Sequence, residues 1–321
     1  MIDTNIKKHK IVFLFSGQGS QYIGMGRKLF ENNKVFRTSL EKGDKIIQQK
    51  LDRSLINELY FTNHKSFDDV LITHPAIVAV EIAMYQVLKE LGIKADYVSG
   101  ISLGEFSAGV VSGIWDYETA LEASVEQAKS IVRNNVHGGM LTIINENKVN
   151  LERIYLFHGL FLAGDNFEGH FTLSGTVENL DAFQLELIKL NIQFLRLPIC
   201  IPFHSPLVLV GLRDFNYYMN FIRLCKPKPG FISGIKSKEL DSDVPNNYFG
   251  EVVSQYTNYS KIVEYIENKA SCLYIDLGPS GSNSTFVKNN LNSLSKSKTF
   301  QIMTPFGREI EQLEKLEKIF K

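Results

Sequence analysis

Two separated stretches hold residues whose types could do chemistry together. Residues 100–104 read Gly-Ile-Ser-Leu-Gly, a G-x-S-x-G pattern that follows an apolar run and precedes a helix-like one. A serine hydroxyl is a weak nucleophile at neutral pH and needs a base and correct presentation. A sharp strand–turn–helix elbow presents it, and the flanking glycines let the backbone turn tightly. The helix that follows aims N–H groups and its positive end at a developing oxyanion. On this reading Ser102 is the nucleophile and the Leu103 N–H an oxyanion donor. Seven histidines could supply the base: His9, His64, His74, His137, His158, His170 and His204. Most sit in stretches that read as loop or surface. His204 stands in "CIPFHSPL", where an apolar strand gives way to a helix, and strand ends of an α/β sheet are where sites collect. It is the leading candidate base.

A third polar stretch, "SGQGSQ" at Ser16–Gln21, follows the first strand. Its glycines permit close backbone approach, and Gln18 or Gln21 could place an amide near the site. It lacks the Lys-Ser/Thr of a phosphate-cradling loop and the spacing of a dinucleotide fingerprint.

These residues need a scaffold. "KIVFLFSG" and "ADYVSG" read as buried strands. "HPAIVAVEIAMYQVLKELG" reads as a helix with Ile77, Val80, Ile82, Met84, Val87 and Leu91 on a broad apolar face and Gly92 as its stop. "DYETALEASVEQAKSIVRN" is a further amphipathic helix capped by Asp116. Between about residues 137 and 199 the order becomes βαββαβ, which resembles a ferredoxin-like unit. "GFISGI" and "CLYIDLGPSG" then return to buried strands. The expected fold class is α/β: a large subdomain over 1–136 and 200–321, interrupted by a small α+β subdomain over 137–199.

Composition narrows the function. The 321 residues carry 35 Lys+Arg and 35 Asp+Glu, a formal net charge of zero. That gives no global electrostatic reason to expect nucleic acid or an anionic membrane as partner. The apolar run near the N-terminus is too short for a signal peptide, and no stretch reads as transmembrane. Cys200, Cys225 and Cys272 are odd in number and widely spaced, which suggests neither a disulfide framework nor a zinc site. A reducing cytoplasm is the expected setting, and a monomer the expected state.

Five motifs, "FLFSGQGSQYIGMGRKLF", "THPAIVAVEIAMY", "GISLGEFSAG", "IPFHSPL" and "YIDLGPSG", resemble in order and spacing the malonyl-CoA:acyl-carrier-protein transacylase and polyketide acyltransferase family. The resemblance covers nearly the whole chain. It implies an α/β-hydrolase-like large subdomain with an inserted ferredoxin-like one. It also implies a Ser102 acylated by a thioester, His204 as base, and an oxyanion hole from Gln18 and the backbone after the serine. The family's small-subdomain asparagine looks like Asn166. The histidine is usually oriented by a main-chain carbonyl.

Two departures from the family pattern matter. Its elbow is commonly G-H-S-x-G, and here the histidine is Ile101. Malonyl-specific members carry an arginine on the following helix that pairs with the free carboxylate of the acyl group. That position falls at Gln127 or Ala128, with Lys129 and Arg133 out of place. A buried carboxylate without a partner is expensive, whereas a neutral acyl chain is not. The sequence therefore looks like the discrete acyl hydrolases of trans-acyltransferase polyketide assembly lines, which remove short acyl groups from acyl carrier proteins. On that reading Gln127 lines an uncharged acyl pocket, beside Ile101 and the apolar segment ending in Phe203. A transacylase that moves an acyl group from CoA to the carrier is the alternative. No metal or resident cofactor is implied, since the phosphopantetheine arm belongs to the carrier protein. Arg223, Lys226 and Lys228 in "RLCKPKPG" are a candidate docking patch for that acidic partner.

Overall fold

Val12, Phe13, Leu14 and Phe15 are all buried, and their side chains alternate between two cores. This four-residue run is the inner part of β1 (Lys10–Phe15), which lies within a mainly parallel sheet. The computed structural model describes residues 9–62, 66–144, 150–228 and 230–321; His64 lies outside them. Beside β1 run β2 (Tyr97–Gly100) on one side and β10 (Cys272–Asp276) on the other, both parallel to it. β7 (Phe231–Ser233) extends the sheet beyond β2, and β11 (Lys298–Gln301) beyond β10. A short antiparallel strand, β8 (Lys238–Glu239), closes the edge and completes the order β11-β10-β1-β2-β7-β8. Strands buried on both faces read as continuous apolar runs, which is why "IVFLF" and "CLYID" were legible.

The second sheet contains β3 (Gly139–Ile144), β4 (Phe161–Phe167), β5 (His170–Gly175) and β6 (Gln193–Arg196). Helices Glu152–Phe157 and Val177–Lys189 supply the two α elements, giving βαββαβ. The order β6-β3-β5-β4 is that of a ferredoxin-like unit, with β3 pairing antiparallel to both β5 and β6. A fifth strand, β9 (Thr257–Asn258), pairs parallel to β4. It comes from well outside residues 137–199, so the chain stitches the small sheet to the large part at a second place.

The helix over Val70–Glu90 differs from the sequence expectation. It starts earlier, capped by Asp69, whose side chain accepts from the Leu71 N–H. It is also buried nearly all round rather than on one face, because it sits inside the main core. It is long and apolar enough to cross a membrane, a length the sequence reading did not recognise, yet most of its apolar window is buried within the fold. His74, the first residue of this helix as read from the sequence, lies inside it and is buried.

The elbow between β2 and the helix Gly104–Ser112 depends on close backbone approach. A Cβ on Gly104 would lie 2.3 Å from the Phe15 carbonyl oxygen, and one on Gly100 would lie 2.2 Å from the Gly104 carbonyl carbon. Neither obstacle is a side chain that can swing aside. Gly104→Ala is expected to lower stability by about 2–3 kcal/mol through overpacking, read as a fall in the denaturant midpoint. An unchanged midpoint contradicts this account of the elbow.

Candidate active site

The elbow carries Ser102 at φ +54°, in the left-handed region that side-chain-bearing residues avoid. Such strain persists where the surroundings enforce it and concentrates at functional sites. Here the enforcement is visible. The Ile101 N–H donates to the Phe15 carbonyl at 3.0 Å, and the Glu105 N–H donates to the Ser102 carbonyl at 2.9 Å. Ser102 is buried, and its Oγ lies 2.9 Å from Nε2 of His204.

His204 is held as tightly. It too has a left-handed backbone, φ +57°, and its N–H donates to the Val253 carbonyl at 2.9 Å. Its Nδ1 lies 2.6 Å from the main-chain carbonyl of Gln255. A carbonyl can only accept, so Nδ1 carries the proton and Nε2 is left to accept from Ser102. Burial pushes the imidazole below its ordinary range, and the Gln255 carbonyl opposes that shift. The neutral form is the one a base needs.

The loop after β1 runs beside the elbow. A Cβ on Gly17 would fall 2.8 Å from the Ile101 carbonyl oxygen and 3.0 Å from Ser102 Cβ. The Gln18 side chain is already engaged: Nε2 donates to Thr73 Oγ1 at 2.8 Å. Gln21 is engaged as well, its Oε1 accepting from the Gly19 N–H at 2.7 Å. What Gln18 can offer an oxyanion is therefore its backbone N–H. Among the described residues, the N–H groups of Gln18 and Leu103 have no protein acceptor.

A cavity of about 280 Å³ opens over Ser102 and His204 between the two sheets. Gln18, Ile101 and Phe203 line it from the large part. Thr142, Thr172 and Asn166 line it from the small sheet, and Leu197 from just beyond β6. Ser102, His204, Gln18, Ile101, Phe203 and Asn166 are thus brought together. The cavity lining contains no Lys, Arg, Asp or Glu among the described residues. Those residues also hold no group of three or more His, Cys, Asp or Glu side chains able to bind a metal.

Gln127 requires a correction. It is fully buried in the helix Tyr117–Arg133 and is not among the cavity-lining residues. Its Nε2 donates instead to the Phe249 carbonyl at 3.2 Å, beside a Trp115–Phe249 stack. The docking patch also falls away from the site. The Cys225 and Lys228 N–H groups donate to the Ile114 and Ser112 carbonyls, at the far end of the elbow helix. Lys228 borders a different cavity, with Lys89 and Lys94. Arg223, Lys226 and Lys228 are all exposed, and what places them away from the site is the anchoring of their loop at the C-terminal end of that helix.

Three supporting residues went unnoticed in the sequence, and one of the seven histidines was passed over. Glu81, fully buried, accepts the Ser16 N–H at 2.5 Å and fixes the loop that carries Gln18. Burial pushes Asp276 up to about 7. Its carboxyl accepts the Gly278 and Ser284 N–H groups at 2.9 and 2.8 Å, shaping the loop that brings Asn283 to the cavity. Glu105, pushed up to about 8 by burial, accepts the Gly234 N–H at 3.0 Å and the Tyr248 hydroxyl. His170 lines the cavity itself. The "YIDLG" and "SLGE" acidic residues are flanked by apolar or glycine positions, and that was the signal available.

Residues 12–271 match the acyl transferase domain family. The chain belongs to that family. It is 34% identical over 310 residues to the polyketide biosynthesis acyltransferase homolog PksD of Bacillus subtilis, covering 96% of this chain and 95% of that one. It is 33% identical over 310 residues to the polyketide biosynthesis acyltransferase homolog BaeD of Bacillus velezensis, with the same coverage. In structure it resembles the acyltransferase domain from the second module of the salinomycin polyketide synthase. The TM-score is 0.86 at 22% identity, covering 98% of this chain and 73% of that one. The fold is therefore that of the acyltransferase domains, with a large α/β part and a ferredoxin-like sheet.

His204 must be neutral to accept the Ser102 proton, so activity rises with pH as His204 deprotonates. Because burial lowers its pKa, the acid limb of kcat/KM is expected to have its midpoint below the ordinary 6.5. A pH series with an activated acyl ester checks this, and a midpoint above 6.5 contradicts the assignment.

Proposed function

We propose that the chain is an acyl-thioester hydrolase of polyketide assembly, which clears short acyl groups from an acyl carrier protein through an acyl-Ser102 intermediate. The observation that carries the reading is the uncharged lining of the cavity over the Ser102–His204 pair. A malonyl carboxylate entering it would lose water without gaining a cation, which costs several kcal/mol. An acetyl or similar neutral group meets no such penalty. The setting in polyketide assembly is taken from what the two relatives are named for, and a reducing cytoplasm fits the three free cysteines.

The reaction follows from the geometry. Ser102 Oγ attacks the thioester carbonyl carbon while His204 Nε2 takes the hydroxyl proton. The carbonyl π pair moves onto oxygen, toward the Gln18 and Leu103 N–H groups. Collapse re-forms the carbonyl and breaks the C–S bond, and the thiol leaves with the proton from His204. A water molecule then attacks the acyl ester as His204 takes one of its protons. The second collapse breaks the bond to Oγ, His204 returns the proton to Ser102, and the free acid departs. The thiol arm is the carrier protein's phosphopantetheine, so the protein itself needs no resident cofactor for these steps.

Membership of the acyl transferase family favours a second reading, in which another thiol replaces the water and the product is a new thioester. Acetyl-loaded and malonyl-loaded carrier protein separate the two, with and without free CoA. Free acetate is expected in both conditions. Malonyl release is expected to be at least about 100-fold slower, the equivalent of roughly 2.7 kcal/mol, and Ser102→Ala is expected to release neither. Acyl transfer to CoA without acid release contradicts hydrolysis, and equal turnover of malonyl contradicts the uncharged-pocket argument.

A further inference from the structure

Two side chains outside the cavity join the element that presents Ser102 to the one that holds His204. Glu105 stands in the first turn of the helix Gly104–Ser112, fully buried, and its own N–H donates to the Ser102 carbonyl at 2.9 Å. Tyr248, also fully buried, opens the short helix Tyr248–Glu251. The Tyr248 hydroxyl donates to Glu105 Oε2. Neither residue lines the cavity, so neither touches the reacting atoms.

This bond belongs to a chain with one consistent direction. A phenol has a single proton. Tyr248 gives it to Glu105, so its oxygen accepts from Ser233 Oγ at 2.6 Å. Ser233 Oγ itself accepts the Lys236 N–H at 3.2 Å, which leaves its own proton to give. Glu105 Oε1 is occupied by the Gly234 N–H at 3.0 Å. Gly234 leaves no room for drift: a Cβ on it would lie 2.7 Å from Glu105 Oε1 and 2.9 Å from the Gly100 carbonyl oxygen. The carboxyl is thus held at both oxygens, just beside the strand end that leads into Ser102.

From Tyr248 the backbone makes one helical turn and delivers the groups that fix the base. The Val252 N–H donates to the Tyr248 carbonyl at 2.9 Å, and the Gln255 N–H to the Glu251 carbonyl at 2.8 Å. The Val253 carbonyl then holds the His204 N–H, and the Gln255 carbonyl holds Nδ1. A ring of contacts closes from Ser102 through Glu105, Tyr248, Gln255 and His204 back to Ser102. Among the described residues, Glu105–Tyr248 is the only side-chain hydrogen bond between the helix Gly104–Ser112 and residues 248–255. The neighbouring contacts are apolar: Phe249 stacks on Trp115 with centroids 3.8 Å apart and meets Phe106 edge-on at 5.0 Å. Apolar contacts are non-directional and tolerate sliding, whereas a hydrogen bond fixes distance and angle. A misplacement of about 1 Å between reacting groups is enough to cost on the order of 100-fold in rate.

We propose that Glu105 and Tyr248 are positioning residues: their hydrogen bond sets where the Gln255 carbonyl lies relative to Ser102, and so keeps the His204 proton on Nδ1 and Nε2 free for the serine. This rests on the reading of Ser102 as nucleophile and His204 as its base, whichever acceptor then takes the acyl group. The test follows hydrolysis of p-nitrophenyl acetate per Ser102 titrated to completion with a fluorophosphonate, so that unfolded protein does not count. Tyr248→Phe keeps the ring and deletes the hydroxyl; it is expected to lower kcat at least about tenfold with KM within about twofold. Tyr274→Phe is the control, a buried phenol that donates to Glu267 at 2.8 Å outside this ring of contacts. It is expected to keep kcat within about twofold. Glu105→Gln is expected to stay within about threefold, because its amide N–H can donate to the Tyr248 oxygen while Tyr248 turns its proton to Ser233. Where Tyr248→Phe fails to fold, Glu105→Asp, one methylene short, takes its place under the same criteria. Imidazole-¹⁵N spectra, with His204 assigned by its loss in His204→Ala, supply a readout that a stability defect alone does not move. The wild type is expected to show the Nδ1–H form, and Tyr248→Phe a mixture with the Nε2–H form. An unchanged kcat in Tyr248→Phe, a loss no larger than that of Tyr274→Phe, or the same tautomer in wild type and Tyr248→Phe overturns the proposal. A wild-type protein with no esterase activity and no titratable serine overturns the nucleophile reading instead, and the ¹⁵N spectra alone then decide the positioning of His204.

Discussion

The hydrogen bond between Ser102 Oγ and His204 Nε2 is the constraint around which the rest of the molecule is arranged. Its two ends are 102 residues apart, and both carry a left-handed backbone that only an over-determined surrounding holds. On the serine side, Gly104 packs the elbow helix directly onto the end of β1 and Gly100 lets the end of β2 meet that helix. On the histidine side, main-chain groups of Val253 and Gln255 fix backbone and ring together. The same segment continues into β9, which joins the small sheet. The element that orients the base therefore also sets the second wall of the cavity.

Around this pair, charge is kept out and polar groups are buried in their place. Glu81, Glu105 and Asp276 are fully or almost fully buried, and burial raises the pKa of each. Their oxygens receive backbone N–H groups from the loops that follow β1, β7 and β10. Those loops leave the sheet at its strand C-termini, where irregular backbone would otherwise hold unpaired donors. A carboxyl that accepts such donors costs less than leaving them empty. His74 shows the other extreme: burial pushes it down to about 3, and neither ring nitrogen has a partner among the described residues.

Much of this was legible in the sequence because it is local. A serine between glycines at the end of an apolar strand defines the elbow, and the small-sheet strands and helices follow alternation and turn residues. Ser102, His204, Phe203 and Asn166 all reach the cavity as expected. What was not legible depends on which way a helix faces or what a loop is tied to. Gln127 is one of the two positions, with Ala128, where the resemblance puts an arginine, yet its helix turns it toward Phe249 and the core. The Gln18 side chain donates to Thr73, a partner on another helix that no local pattern announces. For the lysines of "RLCKPKPG", main-chain hydrogen bonds anchor their loop at the C-terminal end of the elbow helix, opposite the end that carries Ser102. β9 is two residues long and has no pattern of its own. It is a strand only because β4 is beside it.

Ile101, where the family commonly has histidine, packs beside the apolar cluster of Tyr259 and Val263 and also lines the cavity. With His204 as the proposed base, an apolar residue here subtracts no proton carrier and adds to the uncharged lining. The central claim, that water completes a reaction begun at Ser102, has one direct measurement. A single turnover of acetyl-loaded carrier protein is run in ¹⁸O-water and sampled by intact mass. The account predicts a transient acetyl adduct on the wild-type protein, absent in Ser102→Ala, and acetate carrying one ¹⁸O atom. Acetate released with no adduct on Ser102, or an adduct that persists until a second thiol is added, contradicts it.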